Sequence, residues 1–376
     1  MMDMSKLVYW IWLATRIGVG PARIKPLLNY FDTPECIYKT GYKDLRDING
    51  LNASVVKELM NKDLFASENI IQKCQRLGFG IVTQADSQYP DRLKNIYDPP
   101  VVLYVKGNLP KVNEYAAIGI VGTRRCTPYG LKNAEAAGYK LSKRGFIVVT
   151  GLAEGIDTAA TKGALQGNTP TIGVIGSGLD IVFPAQNRSL YEAVSANGAV
   201  ISEYSPGTPA VKGHFPSRNR IISGISNGVA VIEAPERSGA LITADRALEQ
   251  GRDVFSLPGN VDATACAGSN KLLRDGAIPF ITADDIIDEY RDSLNTYKKL
   301  FDNTATVEYI GLDKLINKLD GSARIIAESI GNKPVDTSEI IATTGLDTQS
   351  VLSTLTIMEL DGYLQRNIIG KWEIVK

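Results

Sequence analysis

Between residues 76 and 290, short runs dense in valine, isoleucine and alanine each end on a glycine or another small residue, and an amphipathic stretch follows each. The runs lie at 118–121, 146–150, 171–175, 199–202, 229–233 and 253–256. A strand wetted on one face alternates apolar with polar side chains, whereas near-continuous apolar content means burial on both faces. Such strands alternating with helices predict an α/β domain over 76–290: a parallel sheet with helices on both faces, its ligand crevice at the carboxyl ends of the strands.

The flanks read differently. Over 1–75, apolar positions such as Leu7, Ile11, Leu27, Leu28 and Phe31 recur at helical spacing, which predicts a small helical domain. Its turns Ile17-Gly18-Val19-Gly20-Pro21 and Ile48-Asn49-Gly50-Leu51 resemble hairpins of a helix-hairpin-helix (SAM-like) unit, whose glycines admit a phosphate to backbone amides. Plain helix–helix turns account for them equally well. The apolar run 7–13 is too short to span a membrane and has no basic leader, so a buried helix in a cytoplasmic protein is expected. Polar residues 291–306 read as a linker. Beyond them, helices at 323–330, 337–344 and 348–360 and an alternating segment at 362–375 outline a winged helix over 307–376.

The 376 residues carry 41 basic and 41 acidic side chains, so no global field marks a partner, and anion binding must rest on local clustering. Cys36, Cys74, Cys126 and Cys266 are scattered without CxxC pairing and the only histidine is His214. That disfavours a metal site and a disulfide framework, and fits reduced thiols. No cofactor is expected either, since the dinucleotide fingerprint GxGxxG is absent.

Four glycine turns and one basic stretch carry the chemistry. In Val121-Gly122-Thr123-Arg124, Gly122 permits a tight exit from the strand and Arg124 can reach over the sheet edge. In Thr150-Gly151-Leu152-Ala153-Glu154-Gly155-Ile156-Asp157, Gly151 and Gly155 can bring amides to a phosphate oxygen, and Asp157 reads more simply as the cap of the next helix. A third turn, Gly176-Ser177-Gly178-Leu179-Asp180, continues to Phe183-Pro184 and to Arg188. The fourth element is basic: Lys212, His214, Arg218 and Arg220 cluster, and Arg218-Asn219-Arg220 opens a helix expected at 221–225. Cations are unfavourable at a helix N-terminus, so an anion is expected there. A solvated cluster or an arginine pairing with Glu233 is the plainer alternative. Ser238-Gly239-Ala240-Leu241-Ile242-Thr243 then adds a further glycine turn with hydroxyls. Glu233 invites a general-base role, but no second carboxylate or nucleophile completes a reaction centre.

These strings, with Ser202-Glu203, Phe215-Pro216-Ser217-Arg218-Asn219-Arg220 and Pro258-Gly259, resemble the DNA-processing protein A (DprA, or Smf) family in order over about residues 80–290. The resemblance implies an extended Rossmann-like domain that binds single-stranded DNA during natural transformation, protects it and helps load RecA recombinase. It also implies a homodimer through that domain, and no catalysis. The DNA-facing residues it implies are Gly122, Thr123, Arg124, Gly151, Gly155, Lys212, Arg218, Asn219, Arg220, Ser238 and Gly239.

Two departures stand out. Ala160-Thr161 replaces the family's usual Ala-His, and Phe183-Pro184 leads to Ala185 where many members have a basic residue, so a phosphate has no cation at that position unless Arg188 supplies it. The alternative function is a nucleotide-processing phosphoribohydrolase of the lysine-decarboxylase-like Rossmann group. That group reads PGGxGTxxE where this chain has 238–243 without the trailing glutamate. In the tail, 334–365 holds no lysine or arginine but has Asp336, Glu339, Asp347, Glu359 and Asp361, so its helices are expected to meet protein rather than a phosphate backbone.

Overall fold

The computed structural model describes residues 4–48, 51–291, 319, 321–330, 335–360, 363–366 and 371–374. Nine strands are β1 (Gly80–Thr83), β2 (Val102–Gly107), β3 (Ala117–Val121), β4 (Ile147–Thr150), β5 (Thr171–Val174), β6 (Ala199–Ser202), β7 (Gly228–Val231), β8 (Asp253–Ser256) and β9 (Ile278–Pro279). They form one sheet in the order β1-β2-β6-β5-β4-β3-β7-β8-β9. The six runs read from the sequence are β3 to β8, paired parallel throughout. The sheet as a whole is mixed, because β2 pairs antiparallel with both β1 and β6. The edge strands β1 and β9 escape a pattern reading for a physical reason: β1 is half exposed and β9 is two residues ending on Pro279, tolerated only where no ladder amide is needed.

Strand residues alternate strictly between two cores. Ala117, Val121, Ile147, Val149, Val229 and Val231 face one core, shared with Ile221, Ile222 and Ile225 of α11 (His214–Ile225) and with Ala240, Ala244 and Ala247 of α12 (Gly239–Glu249). Ile118, Ile120, Val148, Ala230 and Ile232 face the other, under α8 (Pro128–Lys143) and α9 (Ile156–Leu165). This is the period-2 pleat of a sheet covered on both faces.

The amino-terminal helices α1 (Met4–Ala14), α2 (Pro21–Phe31), α3 (Pro34–Lys39), α4 (Tyr42–Arg46), α5 (Ala53–Leu59) and α6 (Phe65–Leu77) enclose a third cluster. Trp12, Leu13, Leu27 and Ile37 meet Val102 and Tyr104 of β2 and Val200 of β6 there. These helices and the sheet therefore share one compact unit, Met1–Lys298. Among the described residues no helix is long and apolar enough to cross a membrane.

The second unit is Lys299–Lys376. Among its described residues the helices are α15 (Gly321–Ile330), α16 (Thr337–Thr344) and α17 (Thr348–Leu360), followed by the antiparallel pair β10 (Leu364–Arg366) and β11 (Trp372–Ile374). Val335 bridges to Trp372, whose indole donates to Thr337 Oγ1 at 2.9 Å. Ile326, Ile340, Val351, Leu355 and Trp372 form its core, in a winged-helix arrangement. Of the expected linker 291–306, all but Arg291 lies outside the described residues.

Helices α8 and α9 touch through their backbones. A methyl at Gly138 would collide with the Ala160 carbonyl and one at Gly163 with the Glu135 carbonyl. Overfilling a packed contact of this kind costs about 1–3 kcal/mol. Gly163→Val is expected to lower the stability of the full chain in urea unfolding by that amount, while exposed Lys162→Ala leaves it within about 0.5 kcal/mol.

Candidate nucleic-acid interface

The chain runs β3, β4, β5, β6 toward one side of the sheet and returns to pair β7 on the opposite side of β3. The connections leaving β3 and β7 must part there, and in open α/β sheets such a reversal is where ligands bind. A cleft of about 540 Å³ opens at this point, lined from the β3 side by Gly122, Thr123, Arg124 and Arg125 and from the β7 side by Arg237, Ser238 and Gly239. Arg218 and Asn219 of α11 also line it.

Ser238 is the N-cap of α12, its hydroxyl accepting from Ala240 N at 3.2 Å, and the space beside Gly239 is open. An eleven-residue helix thus aims its amino end, with no acidic residue in the first turn, into the cleft. Asn219 donates to the Gly239 carbonyl at 3.1 Å and ties α11 to this end.

The structure corrects the placement of the arginines. α11 begins at His214, well before the expected 221, so Arg218, Asn219 and Arg220 sit in its second turn and not at its amino terminus. Pro216 is accommodated in the first turn, where its missing N–H costs nothing. Neither arginine therefore faces an unfavourable helix dipole that an anion would have to relieve, and the two occupy different environments. Arg218 is buried and lines the cleft; it donates to the Val174 carbonyl at 2.5 Å and lies against Gly151, while its Nε has no partner. Burial holds the Arg218 guanidinium below its usual range, opposed by the Asp157 carboxylate.

Arg220 does not line the cleft. Its Nε meets Asp98 at 3.1 Å and its Nη2 meets Glu203 at 2.5 Å, so it is a buried ion-pair residue rather than an exposed phosphate contact. The plainer alternative, an arginine paired inside the fold, holds for Arg220, with Glu203 and Asp98 as partners in place of Glu233.

The glycines of the second turn serve packing. The Gly151 amide is taken by Asp157 at 3.0 Å, so it is not presented to a ligand. Asp157 also accepts from Ala153 N at 3.4 Å, and burial pushes its carboxyl up against the pull of Arg218 and of these amides. It ties this loop down; the N-cap of α9 is Gly155. Gly155 has φ of 79°, and a side chain there would strike the Thr123 and Arg124 carbonyls, so it lets α9 pack beneath the Arg124 loop. Gly122 is confined in the same way by Ile156. Thr123 donates its amide to the Glu233 carbonyl at 2.8 Å. Arg188, the first residue of α10 (Arg188–Asn197), and Lys212, before α11, are exposed outside the cleft lining.

Among the cleft residues that escaped the sequence reading are Arg125, Arg237 and the ring of Phe215. The signals were present, as the second arginine of a doublet, a basic residue just before an N-cap serine, and the aromatic that opens the basic string. The Arg124 guanidinium lies 5.5 Å from the Phe215 ring centroid, within cation–π range. Glu233 has both oxygens engaged by Thr127, whose amide and hydroxyl donate at 2.9 and 2.5 Å, so it anchors the start of α8. Among the described residues no group of three or more His, Cys, Asp or Glu side chains could hold a metal ion, and all four cysteines are free.

With this geometry in place, the chain can be compared with known proteins. Residues 80–291 match the family model for DNA recombination-mediator protein A, and 313–367 match that for the DprA winged helix domain. The DNA processing protein DprA of Streptococcus pneumoniae is 43% identical over 284 residues, covering 75% of this chain and 98% of that protein. The X-ray structure of DprA from Streptococcus pneumoniae superposes with a TM-score of 0.67 at 36% identity, over 75% of this chain and 97% of that one. A Helicobacter pylori DNA processing protein A, described for its single-stranded DNA binding mode, gives 0.52 at 28% identity over 57% of this chain and 96% of that one.

The two arginine environments separate in a stability measurement. Arg220→Ala would leave the buried Glu203 carboxylate unpaired and is expected to cost about 3 kcal/mol in urea unfolding. Arg124→Ala, on an exposed loop, is expected to change it by less than about 0.5 kcal/mol.

Proposed function

The chain belongs to the DNA recombination-mediator protein A family, and from that premise we propose that it grips the backbone of single-stranded DNA in the switch-point cleft. The observation that carries this reading is the convergence of Arg124, Arg125, Arg218 and Arg237 with the amino end of α12 at one sheet edge. Among the described residues the only acidic one lining that cleft is Asp157, whose carboxylate is already engaged by loop amides. Forked guanidinium donors and helix amides suit phosphate oxygens and carry no sequence preference. In this reading Lys212 and Arg188, both exposed outside the cleft lining, add further phosphate contacts, and Ser238 and Gly239 supply the helix end. Arg220 acts only by fixing α11.

We further propose binding without turnover, because Glu233 is committed to Thr127 and lies outside the cleft lining. In this reading the protein is cytoplasmic, protects incoming strands, forms a homodimer through the sheet domain and helps load RecA recombinase during transformation.

Fluorescence anisotropy with labelled oligo-thymidine and its duplex, at two salt concentrations, tests the central claim. Arg124→Ala and Arg237→Ala are each expected to weaken single-strand binding whatever the sequence, and to flatten the salt slope by about one unit or less. Unchanged affinity in the double variant would overturn the site. Incubation with nucleoside monophosphates is expected to release no free base; release that disappears in Glu233→Ala would establish the hydrolase reading instead.

The winged-helix unit carries Asp336, Glu339, Asp347 and Glu359, and we assign it to protein contact. Removing 299–376 is expected to leave oligo-thymidine affinity within a factor of about three, well below the tenfold change that corresponds to about 1.4 kcal/mol.

A further inference from the structure

A second cleft, of about 380 Å³, adjoins the first and has Arg124, Ala153, Phe215 and Arg218 in common with it. Its wall is of the opposite character: Val182, Phe183 and Pro184, from the loop between β5 and α10, face Phe215. No phosphate would leave water for that wall, since burying an ionised group without donors is costly. The arginines lie where the two environments meet, so a ligand bridging both clefts must carry an anion and a flat apolar group in close succession. A nucleotide unit of a single strand does so, because base and phosphate lie on either side of one sugar.

We propose that this second cleft is a nucleobase pocket in which Phe183 is the stacking platform. The inference rests on the reading of the first cleft as a phosphate site. Phe183 is 43% exposed and stands 5.6 Å from Phe215, tilted by 40°. Phe215 is less exposed and already engages the Arg124 guanidinium, so Phe183 supplies the more accessible ring. Glu154, also in the pocket lining, is exposed and repels phosphate, which keeps the backbone on the arginine side. Base–aromatic stacking of this kind tolerates any base, as every base has a π face.

The test compares labelled oligo-thymidine with an abasic oligomer of equal length and equal phosphate count, binding to the full chain by anisotropy. Wild type is expected to prefer oligo-thymidine. Phe183→Ala is expected to weaken oligo-thymidine binding roughly fivefold or more and to leave the abasic oligomer unchanged. Phe183→Tyr keeps the ring and is expected to retain the preference, and matching thermal midpoints for the variants exclude misfolding as the cause. Equal affinity of wild type for both oligomers, or a preference that survives Phe183→Ala, would overturn the base pocket and leave the phosphate site standing. Failure of both oligomers to bind wild type would overturn the phosphate reading itself, and the pocket with it.

Discussion

The pairing of β3 with β4 on one side and β7 on the other is the constraint from which the cleft follows. Ile118 pairs with Val148 and with Gly228, so the strand is hydrogen-bonded along both edges and covered on both faces. Of the β3 side chains only Val121, at its carboxyl end, borders the cleft. Only its carboxyl end, where the chain emerges into Gly122, Thr123 and Arg124, meets solvent. Because the chain goes on to β4 after β3 and to β8, on the other side of the sheet, after β7, the loops leaving β3 and β7 diverge, and the gap between them cannot be filled by either.

Helix α11 then divides two duties between residues two positions apart. At about 100° per residue, side chains at positions 218 and 220 point roughly 200° apart around the helix. Arg218 is thereby turned into the cleft and Arg220 toward Glu203 and Asp98. A buried guanidinium costs several kcal/mol of desolvation unless paired, and the two offset it differently. Arg220 has two carboxylates, whereas Arg218 has the Val174 carbonyl and nearby Asp157, and each keeps one buried nitrogen without a partner, Nη1 in Arg220 and Nε in Arg218.

The neutral total of 41 basic and 41 acidic residues conceals this asymmetry. Exposed pairs such as Lys39 with Glu35, Arg246 with Glu249 and Arg324 with Glu328 cancel locally and contribute little to stability. The cleft arginines come from separate parts of the chain, so no window of sequence contains their sum.

Residue order alone determined the central strands, since continuous Val and Ile runs can be satisfied only by burial on both faces, and it determined the winged-helix outline through periodicity and turn residues. It also singled out the turns that border the cleft, because a glycine after a buried strand marks a tight exit. It could not tell which glycines face a ligand: Gly151 and Gly155 are occupied by Arg218, Asp157 and the Thr123 and Arg124 carbonyls, neighbours that exist only once distant loops meet. Nor could it separate Arg218 from Arg220, because that depends on where α11 starts. A basic residue in a sequence is only a charge; its neighbours after folding decide whether that charge is neutralised inside the protein or left for a partner. The antiparallel addition of β2 and the shared core of the amino-terminal helices were likewise tertiary decisions, made by which apolar face was left uncovered.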